Sequence, residues 1–160
     1  MHPPRVAVIA PVEGDSLCPG SERWESFFSG IRGPRVEIFG LYPIAGLVHE
    51  RDARRAPRLL SAHGIMRDRA AIEESALRLR TWMYADGPSY DRFVFLAGGP
   101  LTPIWTRAVA GIPAARRVKL VPVRNLAAAR GSASRSVQGL PGLERSVTRA
   151  RLLNAIGRGV

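Results

Sequence analysis

Arg5-Val6-Ala7-Val8-Ile9-Ala10 is a short, β-branched run that is apolar at consecutive positions, and Pro11 closes it. A strand with one wet face alternates apolar and polar residues, whereas a strand buried on both faces reads as an unbroken apolar run. The run therefore predicts a buried parallel strand, which needs helices to cover it. The chain supplies one at once. Val12 to Gly20 is polar and rich in Gly and Pro, and Ser21 is placed to cap a helix. Trp24, Phe27, Phe28 and Ile31 fall on one face of that helix before Gly33-Pro34 stops it. Arg35 to Leu41 then reads as a second strand, completing a β-α-β unit.

Beyond it, a loop runs through Pro43 and Gly46 into an Arg-rich stretch from Arg51 to Arg58. Asp68 is a cap for the clearest helix in the chain: Ile72, Ala76, Leu79 and Met83 make an apolar stripe while Glu73, Glu74, Arg78 and Arg80 face out. That helix ends near Asp86-Gly87-Pro88, and Tyr90 to Ala97 is a third strand. Gly98-Gly99-Pro100 turns it into a helix with Thr102 as N-cap, Pro103 at the first helical position and Trp105 toward the core. Val118 to Val123 is a fourth strand. Ala127 to Gly142 has no periodicity and reads as a loop or mobile arm, and Leu143 to Ile156 as a basic helix with Val147, Leu152, Leu153 and Ile156 turned inward. The expected fold class is α/β: a three-layer sandwich with a mostly parallel sheet of about four strands and helices on both faces. It divides into an α/β core over 1–125, a flexible basic loop over 126–142 and a C-terminal basic helix over 143–160 that packs on the core. No internal repeat is present.

At 160 residues with 46% hydrophobic and 23% charged content, the chain has the composition of one globular domain. No window approaches the roughly 18 uninterrupted apolar residues of a spanning helix, and the first residues show no export signal, so a cytoplasmic protein without a membrane partner is expected. A single cysteine, Cys18, excludes an internal disulfide framework. The charge is more informative. Of 24 basic and 13 acidic residues, 12 basic residues and one acid, Glu144, lie between Arg92 and Val160. Such a cationic half is the footprint of a polyanion or phosphate-bearing partner. Arginine supplies 23 of the 24 basic residues, a bias that a GC-rich coding sequence also produces.

In an open α/β sheet, ligands bind beyond the carboxyl ends of the strands. Four segments of this chain are expected to meet there. Glu13 and Asp15, after the first strand, are placed to act as a general base or orient a water; the plain alternative is a solvated acidic loop. Gly40 to Glu50, after the second, brings Tyr42 for stacking, Gly46 for a tight fold-back and His49 for proton transfer, or else covers the sheet edge. Gly98 and Gly99, after the third, let backbone amides approach an anion at the start of the helix opened by Thr102. They match neither the dinucleotide fingerprint nor the P-loop, and a plain strand-to-helix turn also explains them. Arg124, after the fourth strand, and Arg130 further along present guanidinium forks suited to phosphate, or form a solvated basic loop.

Other chemistries lack their residues. His2, His49 and His63 are scattered and give no zinc spacing with one cysteine, so no metal site and no cofactor are expected. No Gly-x-Ser-x-Gly elbow occurs. Cys18 has no basic neighbour that would activate it as a nucleophile with His49.

Two segments carry a family resemblance. Val36-Glu37-Ile38-Phe39-Gly40-Leu41-Tyr42-Pro43-Ile44-Ala45-Gly46-Leu47-Val48 resembles the strand-plus-loop signature of the YaaA-like proteins. Tyr90-Asp91-Arg92-Phe93-Val94-Phe95-Leu96-Ala97-Gly98-Gly99 is similar to a strand of the uracil-DNA-glycosylase-like domain that accompanies archaeosine-type tRNA-guanine transglycosylases. Pro43-Ile44 interrupts the loop of the first signature, and His49-Glu50-Arg51-Asp52 stands where an acidic-Pro-Tyr element would follow. The resemblance implies an α/β domain associated with nucleic acids or modified nucleobases, and assigns no catalytic residue.

Together these features lead to a nucleic-acid- or nucleotide-binding α/β protein. Its fitting reaction is at an N-glycosidic bond, with Glu13 or Asp15 activating water and His49 serving the leaving base. A non-catalytic nucleic-acid-binding accessory protein is the alternative from a different class. A small biosynthetic enzyme acting on a phosphorylated or anionic metabolite is the third reading.

Overall fold

The computed structural model describes residues 4–12, 18–42, 46–55, 69–97, 102–112, 117–122 and 140–157. In chain order these form β1 (Val6–Pro11), α1 (Glu22–Phe28), β2 (Val36–Tyr42), β3 (Gly46–His49), α2 (Glu50–Arg55), α3 (Arg69–Ala85), a 3-10 turn (Gly87–Ser89), β4 (Arg92–Ala97), α4 (Thr102–Val109), β5 (Val118–Pro122) and α5 (Leu140–Ile156). The strands make one sheet in the order β3-β2-β1-β4-β5. Every residue from Val6 to Ala10 is buried, as an unbroken apolar run in the middle of a sheet must be. β1 pairs in parallel with β2 and β4, and β4 in parallel with β5. β3 turns back antiparallel along β2, with Tyr42 opposite Gly46 and His49 opposite Phe39.

Alternation along the strands assigns their side chains to two faces. Phe39 and Phe93 meet Trp82 of α3 with ring centroids 5.1 and 6.0 Å apart, and Tyr90 closes the same aromatic group. α4 lies along α3, tied by an Arg107–Glu73 ion pair at 3.0 Å. On the other face Arg92 donates to the Ala155 carbonyl of α5 at 3.0 Å, and Arg149 of α5 donates to the Ser29 carbonyl just past α1. Trp24, Phe28 and Ile31 are fully buried from the α1 side. Each large apolar side chain so buried stabilises the fold by about 1.5–3 kcal/mol before conformational entropy is counted.

Two polar networks pin the elements. Glu50, only 5% exposed, accepts from Arg32 Nε at 2.7 Å and Trp24 Nε1 at 3.0 Å, with Arg54 at 3.1 Å, while Glu25 bridges the same two arginines. This ties α2 to α1. At the amino end of the sheet, Glu37 accepts from the Tyr90 hydroxyl and from Arg5, whose guanidinium lies 4.5 Å from the Tyr90 ring centroid.

The α/β class and the mostly parallel sheet agree with expectation, and among the described residues the sheet has five strands where about four were expected. The additional strand is β3, in a stretch read as loop. The Arg-rich stretch begins as helix α2. α4 opens at Thr102 itself, so Pro103 is its second residue, and α5 begins at Leu140, taking in three residues assigned to the preceding loop. The rest of 126–139 lies outside the described residues.

Candidate functional site

The four parallel strands end level. Pro11 pairs with Leu41, Ala97 with Pro122, and Ile9 with Phe95 two residues before the ends. The chain leaves β1 through α1 to β2 on one side, then returns through α2 and α3 to β4 on the other. In open α/β sheets, connections that depart in opposite directions from two neighbouring strands mark the place where a ligand crevice forms, here the carboxyl ends of β1 and β4.

Several of the sequence-predicted residues follow this rim of strand ends along the chain. Glu13 directly follows Val12, Gly98 directly follows Ala97, and Arg124 is two positions past Pro122. Glu13, Asp15, Gly98, Gly99, Arg124 and Arg130 themselves lie outside the described residues. Thr102 opens α4. Tyr42 and Gly46 face one another across the β2-β3 hairpin, and Gly46 adopts φ +79°, a conformation that costs a side-chain-bearing residue dearly.

His49 is not at the rim. It lies on the edge strand beside Phe39, three residues or about 10 Å back from the strand ends. Its Nδ1 accepts the Arg51 backbone N–H at 3.1 Å, a cap for the start of α2, and its ring packs edge-on against Phe39 at 5.1 Å.

Tyr42 is in the core cluster rather than on the surface, 4% exposed. Its ring leans over Gly40, where a Cβ would come within 2.9 Å of Val12 Cγ2, 3.2 Å of Tyr42 Cε2 and 3.6 Å of Pro19 Cγ. Burial, with a smaller contribution from nearby Cys18, pushes the Tyr42 phenol up to about 12. Val12 is held at the rim by its N–H to the Leu41 carbonyl at 3.1 Å.

Sequence reasoning did not find this Val12-Cys18-Pro19-Gly40-Tyr42 wall. Its one visible signal is a glycine inside an apolar strand, which marks close approach by another group. Among the described residues no cluster of His, Cys, Asp or Glu could hold a metal ion, and no helix is long and apolar enough to cross a membrane. No protein-family model, curated protein or solved structure matches the chain.

Proposed function

We propose that the chain is a three-layer α/β protein that binds a nucleotide unit, free or within a nucleic acid, in the crevice over the carboxyl ends of β1 and β4. The observation that carries this reading is the reversal of strand order at β1, with four strand ends at one level. The segments that leave those ends supply complementary chemistry. Gly98-Gly99 leads into α4, whose first backbone N–H groups and positive dipole end suit a phosphate. Arg124 and Arg130 follow β5 and add guanidinium donors. Glu13 and Asp15 follow β1 and are the carboxylates for activating water at an N-glycosidic bond. His49, set back on the edge strand, takes no part.

The test is binding of labelled single-stranded, duplex and tRNA-like oligonucleotides, and of mononucleotides, across a salt series. Each phosphate contact steepens log affinity against log salt by about 0.7–0.9. Micromolar or tighter binding with a slope of several units supports the nucleic-acid form of the reading. Mononucleotide binding without affinity for long polyanions supports the small-ligand form. Absence of both overturns it. Glu13→Gln with Asp15→Asn is expected to abolish turnover and leave binding intact; unchanged turnover removes the N-glycosidic assignment and leaves a binding protein.

A further inference from the structure

Three aromatic side chains with a polar handle are buried to the same degree among the described residues: Trp24 at 0%, Tyr42 at 4% and Tyr90 at 4% exposure. The Trp24 indole donates to Glu50 and the Tyr90 hydroxyl to Glu37. Deeply buried Tyr and Trp side chains usually satisfy their handles in this way. Tyr42 is the exception. Among the described residues its hydroxyl has no hydrogen-bond partner, and its oxygen is not among the buried polar atoms left unsatisfied, so the hydroxyl is open to a partner while the side chain as a whole stays inside.

The position of this hydroxyl is equally specific. Tyr42 is the last residue of β2, one residue past the level of Pro11, and it lies near Cys18 on the α1 face. Its ring meets the Gly40 position together with Val12 and Pro19, and Cys18 is nearby. A neutral phenol both donates and accepts, which suits an uncharged hydrogen-bonding group.

We propose that Tyr42 reads the nucleoside half of the bound nucleotide through its hydroxyl, by a hydrogen bond to a base carbonyl or a ribose hydroxyl, and not by stacking its ring. This rests on the nucleotide reading above and adds a polarity to it: the phosphate lies toward α4 and the nucleoside toward β2.

The experiment is calorimetric titration of GMP, UMP, ribose 5-phosphate and inorganic phosphate into the full chain and into Tyr42→Phe, with thermal unfolding of both. The ring is retained, so the variant is expected to melt at the wild-type temperature. It is expected to bind both mononucleotides about five- to tenfold more weakly, as loss of one hydrogen bond implies, and to bind inorganic phosphate unchanged. Weakening of ribose 5-phosphate to the same extent assigns the contact to the sugar; no weakening assigns it to the base. Equal mononucleotide affinity of variant and wild type overturns the role of Tyr42 and leaves the nucleotide reading standing. A melting temperature several degrees lower shows that the hydroxyl has an internal partner, and also overturns it. Failure of the wild type to bind any nucleotide overturns both.

Discussion

Glu50 is nearly inaccessible yet charged, and its partners explain why. Burial pushes its carboxyl up, but hydrogen bonds from Arg32 and Trp24 and the charges of Arg32 and Arg54 outweigh that and hold it below the usual carboxylate range. Glu37 is lowered too: burial raises it, and bonds from Tyr90 and Arg5 prevail. A carboxyl depressed in the folded state binds fewer protons there than in the unfolded chain, so its stabilisation is complete above the unfolded value of about 4.3 and is lost as pH falls through the folded one. Urea unfolding followed from pH 7 to pH 3 is therefore expected to show stability declining below about pH 5. Glu50→Gln is expected to cost about 2–3 kcal/mol at pH 7 and to flatten that decline, since a buried, doubly bonded charge is replaced by an amide that leaves two guanidinium groups short of an acceptor. A decline as steep as wild type in the variant would place the acid sensitivity elsewhere. Tyr90 shifts the other way, raised first by burial and then by its bond to Glu37. It favours the folded state below the unfolded phenol value of about 10 and less above it.

Individual elements were legible where burial writes an unambiguous pattern. The continuous run Val6–Ala10 and the aromatic stripe of Trp24 and Phe28 each allow one structure only, and both strand and helix appear where their residues require. Ser21 caps α1 as its position predicts, its Oγ accepting the Trp24 N–H at 3.3 Å. Ser21→Ala is expected to cost about 1 kcal/mol in denaturant unfolding. β3 was not legible, because Gly46-Leu47-Val48-His49 is four residues long, follows Pro43, and has Leu47 and Val48 only partly buried, the mark of an edge strand rather than a core one. α2 was hidden for a different reason. Its one apolar residue, Ala53, makes no stripe, and the helix is held by the Glu50 network instead. Gly40 lies between these cases: the strand around it was legible, and the need for a glycine there was not. Gly40→Ala is expected to destabilise by about 1–3 kcal/mol, since Val12 and Tyr42 must both move to admit a methyl group. Unchanged thermal stability in that variant would mean the rim relaxes freely.

Across the whole molecule, what no single segment could reveal is the strand order, which decides where a site forms. Glu13, Gly98 and Arg124 each follow a strand in sequence, but only the order β3-β2-β1-β4-β5 makes those strands neighbours with level ends. The same order sets His49 apart from the strand ends, because the antiparallel hairpin carries it back down the edge beside Phe39. The basic charge is likewise redistributed by the fold. Arg80 donates to the Ala110 carbonyl, Arg92 to Ala155, Arg117 to Tyr90 and Arg149 to Ser29, so four of the excess cations satisfy carbonyls at or near chain turns and helix ends. Arg92 enters β4 at the amino end of the sheet, opposite the carboxyl ends of the strands. Arg92→Ala is accordingly expected to lower stability by about 1 kcal/mol and to leave the salt slope of ligand binding unchanged. A slope reduced by about one would move the anion to the amino end.

The proposed binding of a nucleotide over the carboxyl ends of β1 and β4 is tested most directly by amide chemical-shift mapping of the isotopically labelled chain during a GMP titration. The account predicts saturable shifts concentrated at Val12, Leu41, Tyr42, Ala97 and the first turn of α4. Shifts concentrated instead around Arg5, Arg92 and Arg117, or along α5 alone, would contradict it.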